Sequence, residues 1–195
     1  MSYDSSATRA RLLTAAYDEF VRVGFAGARV DRIATAASAN KQAIYAYFGS
    51  KEALFDAVLA DRLRVLADVV PFTPDDLAAY SGALFDALTA DPGLQRLTQW
   101  KMLERPEASD QEREAHLSKA AAIAEHHGVG VPVAMDAMMI ALAAAQSWNM
   151  TASVIRDPLA GDPGKRIAGH RAAIVAAVAA ATTALLDGPG ADGRE

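Results

Sequence analysis

Two short segments with helical apolar spacing, separated by a three-residue break, constrain the fold of this chain most strongly. The first, 30–37, repeats apolar side chains at i, i+3, i+4 and i+7, namely Val30, Ile33, Ala34 and Ala37. The second, 41–48, follows a good N-cap residue, Asn40, and places Ile44 and Phe48 on one inward face. Two short helices joined by so short a turn predict a helix-turn-helix unit.

Helix start and stop signals recur along the chain and predict an all-α protein of about nine helices. Alanine, the best helix former, is abundant, whereas alternating strand patterns and hairpin turns are weak. The predicted helices span about 7–23, 30–37, 41–48 and 51–70, a fifth from Pro74 with Thr73 as its cap, a sixth from Pro92 to about 103, and then 109–126, 133–153 and 163–186.

Composition limits the classes of protein that this chain can belong to. The 195 residues are 52% hydrophobic and include no cysteine, which excludes disulfides, a Cys-ligated zinc site and a thiol nucleophile. The N-terminus has no apolar signal region, and the longest uncharged apolar run, 172–186, is shorter than the ~20 residues that span a bilayer. We therefore expect a cytoplasmic protein without a membrane partner.

Charge is distributed unevenly along the chain. The net charge is −5, but residues 1–52 carry seven Lys and Arg against five Asp and Glu. The remaining residues hold twelve Lys and Arg against nineteen acids. A mildly basic N-terminal part on an acidic body is consistent with a polyanionic partner for the N-terminal part.

The side chains around the second helix of the unit suit DNA recognition. Gln42 can bond bidentately to adenine, and Ala43 is small enough to lie against a thymine methyl group. Phosphate contacts are predicted for Lys41, Lys51, Tyr45 and Tyr47, and the helix that begins after Ser50 offers free backbone N–H groups. Arg29 and Asn40 complete the predicted DNA-binding set.

Three stretches together resemble the N-terminal domain of TetR-family transcriptional regulators: "TRARLLTAAYDEFVRVGF" at 8–25, "VDRIATAA" at 30–37 and "IYAYFGSKEALFDAVL" at 44–59. The resemblance implies a DNA-binding domain at 1–50, with the helix-turn-helix at about 29–48. It implies a helical effector-binding and dimerisation domain at 51–187. The glycine-rich segment 188–195 is predicted to be a disordered tail.

Three positions depart from the pattern of that family. Ser38 and Ala39 stand in the turn where Gly and Val are usual, and a left-handed Ser38 costs roughly 1 kcal/mol relative to glycine. Arg29 precedes the first helix of the unit where Ser or Thr is usual, and its lack of a capping group costs about 1 kcal/mol. We expect a less stable small domain that DNA helps to order.

The larger part of the chain shows features of a ligand-binding and dimer-forming bundle. Polar groups on an otherwise apolar helix need partners, and Met adapts to varied ligands. The predicted pocket residues are Phe85, Trp100, Met135, Met139, Gln146 and Asn149. The alternative for each of them is packing in the core, and Asn149 could instead form a hydrogen bond across a dimer interface. The helices at about 133–153 and 163–186 are predicted to form the homodimer surface, because 163–186 is apolar nearly all round; the alternative is a central helix within one subunit.

No catalytic, metal or cofactor motif is found. Glu112 and His116 are spaced i, i+4, but neither His126, His127 nor His170 supplies a third ligand at a convincing spacing. The sequence therefore offers no candidate catalytic site, and the resemblance implies a regulator, a repressor that binds a palindromic operator as a dimer and is relieved by a small hydrophobic ligand. The rivals are an activator or ligand-independent regulator of the same fold, and an all-helical interaction protein that no longer binds DNA.

Overall fold

The computed structural model describes residues 2–156 and 161–187, which contain ten helices and no strand. The helices are α1 Ser2–Gly27, α2 Val30–Ala36, α3 Lys41–Phe48, α4 Lys51–Val69, α5 Leu77–Ala90, α6 Pro92–Glu104, α7 Asp110–His127, α8 Val131–Met150, α9 Ser153–Arg156 and α10 Pro163–Leu186. The all-α prediction is confirmed. The tail predicted to be disordered, 188–195, lies outside the described residues.

Several helix ends differ from the predicted ones for local reasons. α1 starts at Ser2, and Gly24 interrupts it as predicted, with φ +74°, before a last turn to Gly27. Asp76 caps α5 instead of Thr73, because its side chain accepts a 2.8 Å hydrogen bond from the Ala79 N–H. α8 ends at Met150, three residues before the predicted end at 153, and the short helix α9 begins at Ser153.

The chain divides into two compact units. The first comprises Met1–Leu66 and Pro92–Glu107, and therefore groups most of α4 and all of α6 with the helix-turn-helix. The second comprises Ala67–Asp91 and Ala108–Glu195. The functional domains predicted at 1–50 and 51–187 stay a prediction, because compactness does not test which residues bind DNA or ligand.

The core of the first unit holds the short helices in place. Phe20 and Phe55 are fully buried, and their ring centroids lie 5.0 Å apart in an edge-to-face arrangement. Ile33 and Ile44 anchor α2 and α3 in the same cluster, each with no exposed surface. α6 packs on α1 where Gly24 has no side chain, since a Cβ atom there would lie only 2.9 Å from the Trp100 ring.

The second unit is a bundle in which α5 packs against α8 and α10, and α7 packs against α8. Its core includes Phe85, Met138 and Val178, each about 1% exposed. α10 approaches α5 closely at Gly82, where a Cβ atom would lie 2.9 Å from Val175. This close approach leaves the opposite side of α10 exposed, as its sequence of small side chains permits.

Two helices of the second unit are long and apolar enough to cross a membrane by length and composition alone, α8 and α10. Core helices of bundles meet the same criterion. Both helices here pack against α5 and against each other. Their apolar composition is therefore accounted for in part by packing within this unit and in part by the exposed face of α10.

Candidate nucleic-acid interface

α3 is held by one buried face and one cap, which leaves its other side chains in solvent. The Asn40 side chain accepts a 2.8 Å hydrogen bond from the Ala43 N–H, as predicted for the N-cap. Ile44 is fully buried, and Phe48 packs partly against the core. The exposed side chains of the helix are Lys41, Gln42, Tyr45, Ala46 and Tyr47. α3 therefore presents a polar and aromatic surface.

Ala43 differs from the other predicted base-contacting residue. It is half-buried and packs against the core, while Gln42 is exposed. The predicted thymine contact would therefore have to use the part of the Ala43 methyl group that the core leaves open. Gln42 has no such restriction, since its side chain is exposed.

The turn between α2 and α3 contains the predicted left-handed residue. Ser38 has φ +51°, a conformation that disfavours any side chain. The turn is closed by backbone bonds, including Ala39 N–H to Ala34 C=O at 2.9 Å. Arg11 on α1 donates to the Ala37 carbonyl over 3.3 Å, which satisfies a carbonyl at the end of α2. The strained turn is thus braced from α1.

The start of α2 lacks a side-chain cap, as predicted, but a buried carboxylate from α1 takes up its first N–H group. Arg29 makes no capping bond through its side chain. Instead its N–H donates to Glu19 Oε1 at 3.1 Å, and Arg32 Nε donates to the same oxygen at 2.7 Å. Arg22 binds the second oxygen of Glu19. Sequence reasoning missed this network, because Glu19 and Arg29 are ten residues apart on different helices.

The environment of Glu19 keeps it ionised. Burial leaves only 7% of Glu19 exposed and by itself would raise its pKa. Hydrogen bonds from Arg32, Arg22 and the Arg29 N–H outweigh that effect and lower the pKa to about 2. Glu19 is thus a charged cross-link between α1 and α2.

The predicted phosphate-binding groups have partners within the protein in the absence of DNA. Lys41 Nζ lies 3.3 Å from a carboxylate oxygen of Asp31. Lys51 Nζ lies 4.6 Å from the centre of the Phe25 ring, a cation–π contact. The Tyr47 hydroxyl lies 3.3 Å from Ser5 Oγ. These contacts are exposed or partly exposed and weak enough to be exchanged for phosphate.

The N-terminus of α4 carries both a donor and a competing charge. Ser50 caps the helix by accepting a 3.1 Å bond from the Ala53 N–H. The pKa of the Glu52 carboxyl is lowered, first by a hydrogen bond from its own backbone N–H and then by one from Ser50. A fixed negative charge therefore lies in the first turn, where the sequence predicted a phosphate contact.

The predicted pocket residues do not all lie in one unit. Trp100 belongs to the first unit, where its indole N–H is 3.4 Å from the Val21 carbonyl. The other five belong to the second unit: Phe85 is buried, Met135, Gln146 and Asn149 are half-buried, and Met139 is 57% exposed. Asn149 donates to the Leu88 carbonyl at 2.8 Å, so this polar group on α8 has a partner within the chain. The pocket stays a prediction.

A helix-turn-helix whose second helix exposes a polar, aromatic face, on an all-helical chain, defines the class of DNA-binding regulators. The family description "Bacterial regulatory proteins, tetR family" matches residues 12–58, and "Tetracyclin repressor-like, C-terminal domain" matches residues 76–179. The second match alone covers more than half of the chain. The chain belongs to the TetR family of bacterial regulatory proteins, and it is a DNA-binding transcriptional regulator.

Individual relatives agree with this assignment. The HTH-type transcriptional repressor SCO4008 of Streptomyces coelicolor is 39% identical over 165 residues, which are 81% of this chain and 86% of that protein. The HTH-type transcriptional repressor NicS of Pseudomonas putida is 50% identical over 52 residues, 27% of this chain and 24% of that one.

Solved structures share the fold. The crystal structure of SCO4942 from Streptomyces coelicolor, named as a transcriptional regulator, aligns with a TM-score of 0.74 and 36% identity over 88% of this chain and 96% of that one. The structure of SCO7222, a TetR from the same organism, aligns with a TM-score of 0.63 over 92% of this chain and 98% of that one. At 20% identity SCO7222 shows the fold alone.

Proposed function

We propose that this protein is a cytoplasmic, non-enzymatic repressor that binds a palindromic operator as a homodimer and is released by a small hydrophobic ligand. The observation that carries the DNA-binding part is the exposed face of α3, with Gln42 free to reach base edges and Lys41, Tyr45 and Tyr47 around it. The sign of regulation is supported by the name of SCO4008, a transcriptional repressor that matches most of this chain.

The proposed dimer is supported by the apolar surface that α8 and α10 leave exposed. Met139, Ile140 and Met150 on α8 are 57%, 43% and 64% exposed. On α10 the exposed residues include Ala172, Ala173, Ala176 and Ala180, which would let a second helix approach closely. Pairing these helices with their copies would make a four-helix bundle. Two heads related by a two-fold axis would then read two half-sites of opposite orientation.

The proposed effector site lies among the predicted pocket residues of the second unit. Phe85 is buried beside Trp148, with ring centroids 6.4 Å apart. Asn149 on the same helix supplies a polar group near an apolar surface, a combination typical of small-molecule sites. A ligand there can release the protein from DNA only by its difference in affinity between the bound and released conformations.

The test starts with selection of DNA fragments by the purified protein, followed by affinity measurements on the enriched sequence over a range of salt concentrations. A specific regulator should enrich a palindrome, and its affinity should fall steeply with salt as phosphate contacts are lost. Absence of binding to any DNA at low salt would favour the interaction protein over the regulator. Transcription in vitro from a promoter that overlaps the palindrome distinguishes repression from activation.

A further inference from the structure

Near the C-terminal end of α8, one arginine from α9 and one from α10 contact the same aromatic ring. The guanidinium carbon of Arg156 lies 4.7 Å from the centre of the Trp148 ring, and that of Arg166 lies 5.3 Å from it. Trp148 itself is 7% exposed, while both arginines are half-buried. The Trp148 ring therefore makes cation–π contacts with two guanidinium groups that remain partly exposed to solvent.

Backbone carbonyls fix both guanidinium groups. Arg156 Nη1 donates to the Trp148 carbonyl at 2.8 Å, and Arg166 Nε donates to the Arg156 carbonyl at 2.9 Å. A guanidinium carries five N–H donors, and these two hydrogen bonds use one donor of each group. Since the orientation of each group is already set, an acceptor that binds there need not order two free side chains.

No acidic side chain of the described residues pairs with either arginine. The arginines of the same unit that have carboxylate partners are Arg113, with Asp110, and Arg171, with Asp86. Because Arg156 and Arg166 contact the same ring, their charges lie within about 10 Å, roughly the Debye length at ~0.1 M salt. Two like charges this close repel each other unless an anion lies between or beside them.

The surroundings of the two arginines are also polar on one side and apolar on the other. His170 lies with its ring 5.2 Å from Trp148, and its Nε2 is 2.9 Å from Ser147 Oγ. Burial first, and then the charge of Arg166, lowers the pKa of the His170 imidazole, so the positive field of Arg166 extends to this side chain. Phe85 closes the apolar side, 5.8 Å from the His170 ring.

We propose that Arg156 and Arg166 form a carboxylate-binding site at the end of α8, with Trp148 as its aromatic wall. A carboxylate accepts paired hydrogen bonds from the planar edge of a guanidinium. The carboxylate comes either from a free small molecule or from a side chain of a second copy of the protein. The proposal rests on the effector site proposed above, which Trp148 and Phe85 also line, and it names the chemical group bound there. Because the binding test uses no DNA, its outcome does not depend on operator binding.

Calorimetric titration of the full chain with sodium benzoate, at constant ionic strength and without DNA, tests the proposal. The neutral analogue benzamide is the matched ligand control. The wild type should bind benzoate and not benzamide, and the double variant R156Q/R166Q should bind benzoate at least about tenfold more weakly. The single variant R113Q, the charge-matched control for the single variant R166Q, removes one positive charge from α7 and should bind benzoate as the wild type does.

Sedimentation of the same variants distinguishes the two sources of the carboxylate. If a second copy supplies it, benzoate will not bind, but R156Q/R166Q will raise the dissociation constant between copies about tenfold while R113Q does not. If neither benzoate binding nor self-association depends on Arg156 and Arg166, the proposal is overturned. Thermal unfolding shows whether R156Q/R166Q is folded. If it is not, the wild-type titration and the single variant R166Q, which should bind benzoate more weakly than the wild type, test the proposal instead.

Discussion

The outer surfaces of α3 and α10 are both exposed, yet they offer opposite chemistry. α3 shows Lys41, Gln42 and two tyrosine hydroxyls, groups that hydrogen-bond to phosphate and base edges. The exposed residues of α10 between 172 and 180 are all alanines, which offer no polar group to specify a partner. The difference supports the proposal that α3 contacts a polar, charged surface and that α10 packs against a helix of a second copy. The predictions below test this contrast.

The largest effect is expected from Ala176→Glu, on the exposed face of α10. The variant buries one unpaired carboxylate from each subunit in a close helix interface. We expect this to weaken dimerisation by about 3 kcal/mol, which is on the order of a hundredfold in Kd. Light scattering at micromolar concentration should then give the 20.5 kDa mass of one chain. Ala121→Glu, the same change at an exposed position of α7, is the control and should leave the dimer intact.

The proposal that α10 forms the dimer surface is wrong if A176E remains dimeric and A121E does not. In that case α7, rather than α10, would carry the subunit contact, and the exposed alanines of α10 would need another explanation. If A176E lowers the DNA affinity but keeps the mass of a dimer, separation of the two heads cannot explain the loss, because the heads are still linked. That result would also contradict the dimer proposal.

Glu19→Ala tests whether the face of α3 depends on a charge hidden beneath it. The variant removes the acceptor for the Arg29 N–H and for the side chains of Arg22 and Arg32. We expect the free energy of unfolding to fall by about 2 kcal/mol. The loss is smaller than for a fully buried ion pair, because both arginine side chains reach solvent. Chemical denaturation measures the loss. Asp18→Ala, at an exposed position of the same helix, should change stability little.

The same residue predicts a pH dependence. The pKa of Glu19 is about 2 in the folded protein against an ordinary 4.5, so its stabilising contribution is complete above pH 4.5 and is lost as the pH falls towards 2. The slope of unfolding free energy against pH in this window should be lower in Glu19→Gln than in the wild type, by up to about 1.4 kcal/mol per pH unit. Equal slopes in the two proteins would mean that Glu19 is not held ionised by its partners.

Gln42→Ala and Lys51→Ala separate base recognition from phosphate binding on the head. Gln42 is exposed on α3, so its loss should weaken binding to the preferred sequence by about 1–2 kcal/mol and relax the preference at one base pair. Lys51, now in contact with the Phe25 ring, should affect all sequences alike and lower the salt dependence. Binding assays on a set of single-base operator variants give both results. Uniform losses in both variants would remove Gln42 from base readout.

The sequence predicted the parts of the fold that local rules determine. The Asn40 cap and the break at Gly24 each follow from a residue and its immediate neighbours, whereas the left-handed Ser38 was suggested only by the glycine that the family usually has there. Glu19 could not be predicted in the same way, since on α1 it is one more carboxylate until α2 folds back against it. Trp100 shows the same limit: its contact at Gly24 joins positions far apart in the chain.

Ser38→Gly should have the smallest effect and addresses the strain in the head directly. Glycine adopts φ +51° without the penalty that a side chain carries, so the variant should gain about 1 kcal/mol, part of which the greater freedom of the unfolded chain offsets. Ser38 is exposed and its side chain is not needed for the core, so packing should not change. Thermal unfolding measures the gain, with Ser118→Gly, in the interior of α7, expected to lose stability instead. If DNA orders the turn, S38G should raise the operator affinity, because the free variant is already closer to the bound conformation. A raised stability with unchanged affinity would mean that DNA binding does not depend on ordering of this turn.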